Sequence, residues 1–143
     1  TANKVRAAGE EWRLEPLTTA EFELTDCFNG HSLSIVACGL AEHCCYYRGP
    51  HSGGAVLVAF SGVPEEVFAP VTEQKFVALT MQCIQQFSVD HKLFVESFLL
   101  WNGTPYEWQD LTVTAHFKDD LIIEYEIVDS FWRIKCMKNT GRM

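Results

Sequence analysis

The sequence lacks an excess of basic residues. Among its 143 residues, 11 are lysine or arginine and 19 are aspartate or glutamate, which gives a formal net charge of −8. A protein that binds nucleic acid needs a basic surface against the phosphates, and a protein that docks on an anionic membrane needs one too. The composition therefore argues against both of these classes.

The sequence also lacks a long apolar segment. No run approaches the roughly 18 apolar residues that a helix needs to span a bilayer. The longest apolar stretches, residues 55–60 and 121–123, have the length of short strands. Residues 1–15 are charged and contain no apolar region typical of a signal peptide. We therefore expect no insertion into a membrane.

Sequence signatures of enzymes and metal sites are missing as well. Neither glycine-rich phosphate-binding loop occurs, and no G-x-S-x-G nucleophile elbow accompanies residues 51–54. His43, Cys44 and Cys45 lack the spaced ligand pairs typical of zinc sites. A nucleophilic cysteine with a histidine base stays open as an alternative. We expect no catalytic residue, no metal and no cofactor, and favour a protein that is not an enzyme.

One segment has a clear helical pattern. Residues 72–88 carry apolar side chains at helical spacing, with glutamines and a lysine between them. Thr72 is suited to cap the N-terminus, and Glu73 is favourable next to the positive end of a helix. Pro70 precedes the segment and marks a break in the chain. The pattern predicts one long amphipathic helix over about residues 72–88.

Residues 111–137 alternate apolar and polar side chains, as strands with one solvent-exposed face do, whereas residues 92–101 carry apolar side chains on both faces, as a covered strand does. The pattern predicts a four-stranded antiparallel meander with strands at residues 92–101, 111–117, 121–128 and 131–137. Between the first two strands, Asn102-Gly103-Thr104 has the form of a glycosylation sequon, and we interpret it mainly as a turn.

The apolar faces also predict the register of this meander, because a slip by one residue would turn every side chain to the other face. Phe117 is expected opposite Leu121, and Val128 opposite Phe131. That register places Glu126 opposite Arg133 and Glu124 opposite Lys135, and opposite charges across strands stabilise a sheet.

Upstream of the helix, short apolar segments separated by turn residues predict four further strands. They lie at residues 21–25, 33–38, 43–48 and 54–60, and Asn29-Gly30 is a hairpin signal between the first two. The whole pattern predicts an α+β fold, mainly antiparallel sheet with the long helix packed on it. We expect a single domain over residues 1–143 with polar ends at 1–15 and 139–143.

Six cysteines are present, and three of them fall on predicted apolar faces. Cys38, Cys83 and Cys136 are expected to pack as small apolar side chains in the reduced state. This expectation favours an intracellular over a secreted protein. A secreted binding domain with disulfides stays open, because six cysteines could form such a framework.

Several aromatic residues lie outside the predicted core. Trp12 and Trp108 occur in segments of no clear periodicity, and Tyr46, Tyr47 and Arg48 follow the double cysteine. Tryptophan, tyrosine and arginine are typical anchors of protein interfaces. The sequence therefore predicts a partner-binding surface that includes these five residues.

The function we favour is a non-catalytic protein–protein interaction domain, an excised module or processed product of a larger protein. Seven glutamates favour a partner with a basic surface: Glu10, Glu11, Glu15, Glu21, Glu23, Glu65 and Glu66. The alternative is a small-molecule-binding or enzymatic domain with a pocket between helix and sheet. The residues expected to line that pocket are Phe76, Phe87, Tyr125 and Trp132, with His116 or a cysteine as the polar group.

Overall fold

The structure, a computed structural model, describes residues 2–141. The chain forms two compact units, Thr1–Phe68 and Ala69–Met143. Both units contain helices and antiparallel strands, so the predicted α+β class is confirmed. The prediction of one domain over residues 1–143 stays a prediction, since a compact unit need not fold separately.

The N-terminal unit contains two helices, two strands and two short 3₁₀ helices. These elements are α1 (Ala2–Trp12), a 3₁₀ helix (Glu15–Leu17), α2 (Gly30–Ala41), β1 (Cys45–His51), β2 (Gly54–Phe60) and a second 3₁₀ helix (Glu65–Phe68). The predicted polar N-terminal end is thus mostly helical. Helix α1 packs closely on the first 3₁₀ helix at Gly9, where an added Cβ would lie 2.6 Å from Leu17 Cβ.

The predicted strand at residues 33–38 is wrong, because this segment belongs to α2. The Asn29 side chain accepts hydrogen bonds from the backbone N–H groups of His31 and Ser32, and the Ser32 hydroxyl accepts one from Asn29 N–H. This capping box satisfies N–H groups that the first turn of a helix leaves free. Asn29-Gly30 therefore begins a helix instead of turning a hairpin. The predicted strand at residues 21–25 is also wrong, since that segment is irregular.

Strands β1 and β2 form an antiparallel hairpin from the pair Cys45–Phe60 to the pair His51–Gly54. The predicted strand at residues 54–60 is confirmed. The one predicted at residues 43–48 begins two residues later and extends to His51.

The C-terminal unit begins with two capped helices. Helix α3 (Glu73–Gln86) agrees with the predicted helix, and Thr72 caps it by accepting a hydrogen bond from Lys75 N–H. Helix α4 (His91–Asn102) replaces the strand predicted at residues 92–101, and so the expectation of a single long helix is wrong. Asp90 caps α4 through a 2.8 Å hydrogen bond from Leu93 N–H.

A four-stranded antiparallel sheet follows, with the strands in sequence order. The strands are β3 (Tyr106–Gln109), β4 (Thr112–His116), β5 (Asp120–Val128) and β6 (Phe131–Asn139). The predicted four-stranded meander is therefore present, although its first strand is β3. Of the predicted polar C-terminal end, residue 139 closes β6, and residues 142 and 143 lie outside the described residues.

The register agrees with the prediction next to the β5–β6 turn and differs in the β4–β5 hairpin. Val128 pairs with Phe131, and Glu126 with Arg133, as expected. Leu121 pairs with Ala115 instead of Phe117, a shift of two residues. Because side chains alternate with period two, this shift keeps the apolar face inward.

A β-bulge interrupts the β5–β6 pairing between Glu124 and Tyr125. As a result Glu124 faces Cys136, not Lys135, and its carboxylate accepts a 2.7 Å hydrogen bond from Lys138 Nζ. The inward position predicted for Cys136 is wrong, because its Sγ lies 3.9 Å from the Glu124 carboxylate. The residue packed against the core after the bulge is Met137.

The core of the C-terminal unit lies between the helices and the sheet. Its buried members are Phe76, Val95, Leu99, Val113, Ala115, Leu121, Ile123 and Tyr125. Asn102 closes one end, since its side chain bonds both backbone groups of Val71 and the Thr104 hydroxyl.

Within residues 2–141, every helix is too short or too polar to cross a bilayer.

Candidate functional site

The N-terminal unit buries few large apolar side chains. Among its described residues, the buried hydrophobic ones are Ala8 and Leu17. Eight large hydrophobic residues are exposed: Trp12, Leu24, Ile35, Tyr47, Val56, Val58, Phe60 and Val67. Exposed apolar residues that occur singly are normal, whereas a contiguous set marks an interaction surface.

Four of these exposed residues lie on one face of the β1–β2 hairpin. Residues that pair across antiparallel strands share a face, and Tyr47 pairs with Val58, while Phe60 and Val56 are the β2 members of the neighbouring pairs on that side. Their exposed fractions are 66% for Tyr47, 55% for Val56, 52% for Val58 and 46% for Phe60. We call these four residues the hairpin face.

The opposite side of the hairpin packs against helix α2. An added Cβ on Gly30 would lie 2.6 Å from Leu57 Cδ1, so the helix approaches the strand closely at this glycine. The Tyr46 hydroxyl lies 3.4 Å from Nδ1 of His31 on the same helix. Helix α2 therefore holds the hairpin on one side and leaves the hairpin face exposed.

Strand β2 also has an unpaired edge. Among residues 2–141 it pairs with β1 alone. The strand is seven residues long and contains neither a charged residue nor proline, whereas β1 contains Arg48 and Pro50. Charges and prolines are the usual devices that prevent an edge strand from pairing with another chain. The edge of β2 lacks both.

The N-terminal unit as a whole is acidic. Residues 1–68 contain nine acidic and four basic residues, a formal net charge of −5. The seven glutamates singled out in the sequence are all exposed in this unit. One of them, Glu65, lies 3.3 Å from Nδ1 of His43, two residues before β1 begins, and the His43 ring stacks on Phe68.

The five residues predicted to contact a partner are dispersed. Tyr47 belongs to the hairpin face, and Trp12 is 52% exposed at the end of α1. Tyr46 and Arg48 lie on the side of the hairpin that carries Leu57. The prediction missed Val56, Val58 and Phe60, whose uninterrupted apolar run is typical of a strand buried on both faces.

Trp108, the fifth residue, lies in the C-terminal unit on strand β3. It is half-buried, and its Nε1 donates a 2.7 Å hydrogen bond to the Glu96 carboxylate. Its ring lies 5.4 Å from that of Tyr125 and 5.7 Å from that of Trp132, between centroids. Trp108 is therefore part of an aromatic cluster beside helix α4.

Two of the residues expected to line a pocket between helix and sheet belong to the core. Phe76 is fully buried, and Tyr125 is 4% exposed. The polar group suggested for that pocket, His116, lies on the exposed side of β4, where its Nδ1 is 2.9 Å from the Asp120 carboxylate.

All six cysteines are free thiols. Burial, together with the neighbouring Cys44 and Cys45, raises the pKa of Cys38, and burial raises the pKa of Cys83. A raised pKa disfavours the nucleophilic thiolate at neutral pH. No group of three or more histidine, cysteine, aspartate or glutamate side chains suited to a metal ion occurs within residues 2–141.

One comparison with known proteins gives a match. Residues 1–63, less than half of the chain, are similar to a family of unknown function (DUF6882). The matched segment contains α1, α2, β1 and β2 and lies within the N-terminal unit. Comparisons with curated proteins and with solved structures gave no match. The similarity therefore concerns the unit that carries the hairpin face, and it assigns no activity.

Proposed function

We propose that the protein is a non-catalytic protein–protein interaction module that binds an extended segment of a partner protein along strand β2. The observation that carries this proposal is the hairpin face next to the unpaired edge of β2. An extended segment can add to such an edge through backbone hydrogen bonds, while its side chains contact the exposed face. Tyr47 is the anchor, because it is the most exposed aromatic residue of the hairpin face.

Charge complementarity gives the chemistry of the partner. The N-terminal unit carries a formal net charge of −5, and Glu65 and Glu66 follow closely after β2. A segment with alternating apolar and basic side chains would place its apolar residues on the hairpin face and its charges near these carboxylates. Attraction between exposed charges mainly accelerates association, and salt screens it.

A defined peptide tests this proposal. The probe is a short dye-labelled peptide of alternating valine and lysine residues, compared with a peptide in which glutamate replaces lysine. Fluorescence anisotropy with the full chain is expected to show binding of the lysine peptide, weaker at high salt. The glutamate peptide is expected not to bind.

Valine substitutions locate the site. Replacing Val56 and Val58 by serine removes about 1 kcal/mol of apolar burial at each half-exposed valine, and so the double variant is expected to bind roughly thirtyfold more weakly. Val67→Ser is the matched control, since Val67 is 57% exposed outside the hairpin. Equal affinity of the double variant and the control would contradict the proposal, as would binding of both peptides. Dimerisation of the chain without peptide would identify a second copy as the occupant of the edge.

We further propose that the protein works in a reducing, intracellular compartment. Its six free thiols support this proposal. The mass of the natively purified protein is expected to stay the same after treatment with a reductant. A gain of two hydrogen masses or more would mean that disulfides are present.

A further inference from the structure

The aromatic cluster around Trp108 holds a positive charge. The Nζ of Lys92, on the first turn of α4, lies 4.5 Å from the ring centroid of Trp132 and 4.9 Å from that of Trp108. The planes of the two indoles are 84° apart. One ammonium group therefore faces two rings that meet almost at a right angle, and both contacts are cation–π interactions.

Tyr125 and Glu96 complete these surroundings. The Tyr125 ring lies 5.4 Å from Trp108 and 5.7 Å from Trp132, at 67° to the latter. The Glu96 carboxylate is held at the edge of Trp108 by the indole hydrogen bond. We call Trp108, Tyr125 and Trp132 the aromatic cage. The two indole faces that Lys92 contacts, together with the adjacent carboxylate, provide the negative potential that attracts an organic cation.

The Tyr125 hydroxyl is a second, independent sign of a ligand. The side chain is 4% exposed, and within residues 2–141 its hydroxyl has no hydrogen-bond partner. Burial and the nearby carboxylates of Glu96 and Asp90 raise its pKa, so the hydroxyl stays neutral and keeps its proton. A buried polar group without a partner is rare in folded proteins, and a ligand is one of the things that can satisfy it.

We propose that the aromatic cage binds a quaternary ammonium group, and that Lys92 occupies the same place as an internal competitor. A quaternary ammonium carries no N–H group, so it loses no hydrogen bond to water when aromatic rings surround it. The primary ammonium of Lys92 gives up hydration to occupy the cage, and its flexible stem can return it to solvent. The proposal concerns the C-terminal unit and does not rest on the interaction proposed for the hairpin.

The Tyr125 hydroxyl, which has no hydrogen-bond partner within residues 2–141, also indicates the class of ligand. Tyr125 can donate to an oxygen of the ligand, and a small quaternary amine such as choline carries an oxygen two carbons from its nitrogen. A trimethylated lysine side chain has the same cationic group without that oxygen. The shared chemistry is thus the methylated ammonium, and comparison of the two compounds distinguishes its sources.

The experiment follows the indole N–H signals of the ¹⁵N-labelled full chain by NMR. The four tryptophans give separate probes, of which Trp108 and Trp132 belong to the cage, while Trp12 and Trp101 lie outside it and serve as internal controls. The protein and its Lys92→Ala variant are titrated with choline, and then with 3,3-dimethylbutan-1-ol, which has the same shape without the charge. Parallel titrations use Nε-trimethyl-lysine.

We expect choline to shift the Trp108 and Trp132 signals and to leave those of Trp12 and Trp101 unchanged. Lys92→Ala is expected to bind about two- to fivefold more tightly, because it removes a competing cation–π contact. The neutral alcohol is expected to produce no shift. Binding of either cation supports the site. Whichever of choline and trimethyl-lysine binds more tightly identifies the source of the cation.

Three results would overturn the proposal. The first is the absence of shifts at Trp108 and Trp132 with both cations, in the unchanged protein and in Lys92→Ala. The second is an equal response to choline and to the neutral alcohol. The third is weaker binding by Lys92→Ala although its spectrum shows an intact fold, because Lys92 would then assist the ligand instead of competing with it.

Discussion

At the scale of single residues, the Asn102 side chain connects two distant parts of the C-terminal unit. Its side-chain oxygen accepts a 2.6 Å hydrogen bond from Val71 N–H, and its amide nitrogen donates to Val71 C=O and to the Thr104 hydroxyl. One side chain thus bonds to both backbone groups of a residue 31 positions away. The sequence indicated a turn at residues 102–105, but a hydrogen-bond partner so distant in the chain leaves no local signal.

Asn102→Ala is expected to lower the free energy of unfolding by about 1–3 kcal/mol, because it leaves Val71 N–H without its partner. Urea denaturation followed by circular dichroism measures the change. Asn3→Ala is the control, since Asn3 is exposed in helix α1. If both variants had the same stability, the three hydrogen bonds of Asn102 would contribute nothing.

His91, the first residue of α4, connects the helix to the sheet. Its Nδ1 accepts a 3.0 Å hydrogen bond from Ile134 N–H on β6. Burial lowers the pKa of His91, the charge of Arg133 lowers it further, and Asp90 opposes the shift. The folded protein therefore holds a neutral imidazole, which the hydrogen bond from Ile134 also requires.

This pKa gives a prediction for stability against pH. Because the folded-state pKa is below the ordinary value of about 6.5, the unfolded chain binds the proton first as the pH falls. The stability that His91 contributes is complete above about pH 6.5 and is lost as the pH falls through the folded-state pKa. His91→Gln should lose less stability than the unchanged protein between about pH 7.5 and 5 in urea titrations. An equal loss would contradict this assignment.

At the scale of elements, the two helices that the sequence missed have the same explanation. Residues 33–38 and 92–101 are rich in apolar residues, so alternation could be found in both. In each case the residue directly before the helix is a side-chain cap, Asn29 for α2 and Asp90 for α4. The same signal at Thr72 supported the correct prediction of α3. Cap residues thus precede all three helices. For residues 33–38 and 92–101, the ambiguous apolar pattern was given more weight than the cap and led to the prediction of a strand.

Replacement of glycine by alanine is expected to have opposite effects on stability at Gly103, which follows α4, and at Gly39 in α2. Gly103 follows the helix with a φ of +68°, whereas Gly39 lies exposed inside α2, and both have open space where a Cβ would stand. Gly103→Ala is expected to destabilise by about 1 kcal/mol, because alanine is strained in the left-handed region. Gly39→Ala is expected to stabilise by about 0.5–1 kcal/mol. Denaturation curves of both variants test the signs, and a stabilising Gly103→Ala would be inconsistent with this C-cap.

At the scale of the whole molecule, the presence of the four-stranded sheet could be predicted better than the exact pairing of its strands. The β5–β6 turn followed from apolar faces and charge pairs that agreed with each other. The bulge at Glu124 could not be predicted in this way. It replaces the expected pairing of Glu124 with Lys135 by an ion pair with Lys138, and both arrangements place a lysine next to the carboxylate. Of the candidate site, Tyr47 could be found as an aromatic residue outside the core. Its neighbours could not, because exposure of Val56 and Val58 depends on what covers the strand.

The two units differ in how much they bury, and this difference predicts their behaviour in isolation. The C-terminal unit has a core of eight buried residues, five of them contributed by the sheet strands β4 and β5. A chain of residues 69–143 is expected to unfold cooperatively with heat, as judged by circular dichroism. A chain of residues 1–68 is expected to unfold less cooperatively, because only two hydrophobic residues, Ala8 and Leu17, are buried in the described part of this unit. A steeper transition in the shorter N-terminal chain would contradict this expectation.

The unpaired edge of β2 has a consequence for the behaviour of the protein in solution. An uncharged strand with an unpaired edge can template addition of a second copy, which is how edge strands lead to fibrils. At neutral pH the net charge of −8 keeps copies apart. That repulsion vanishes near the isoelectric point of ≈ 5.0, so mild acid brings exposed edges together. The net negative charge thus opposes aggregation at neutral pH, whereas acidic storage would favour aggregation.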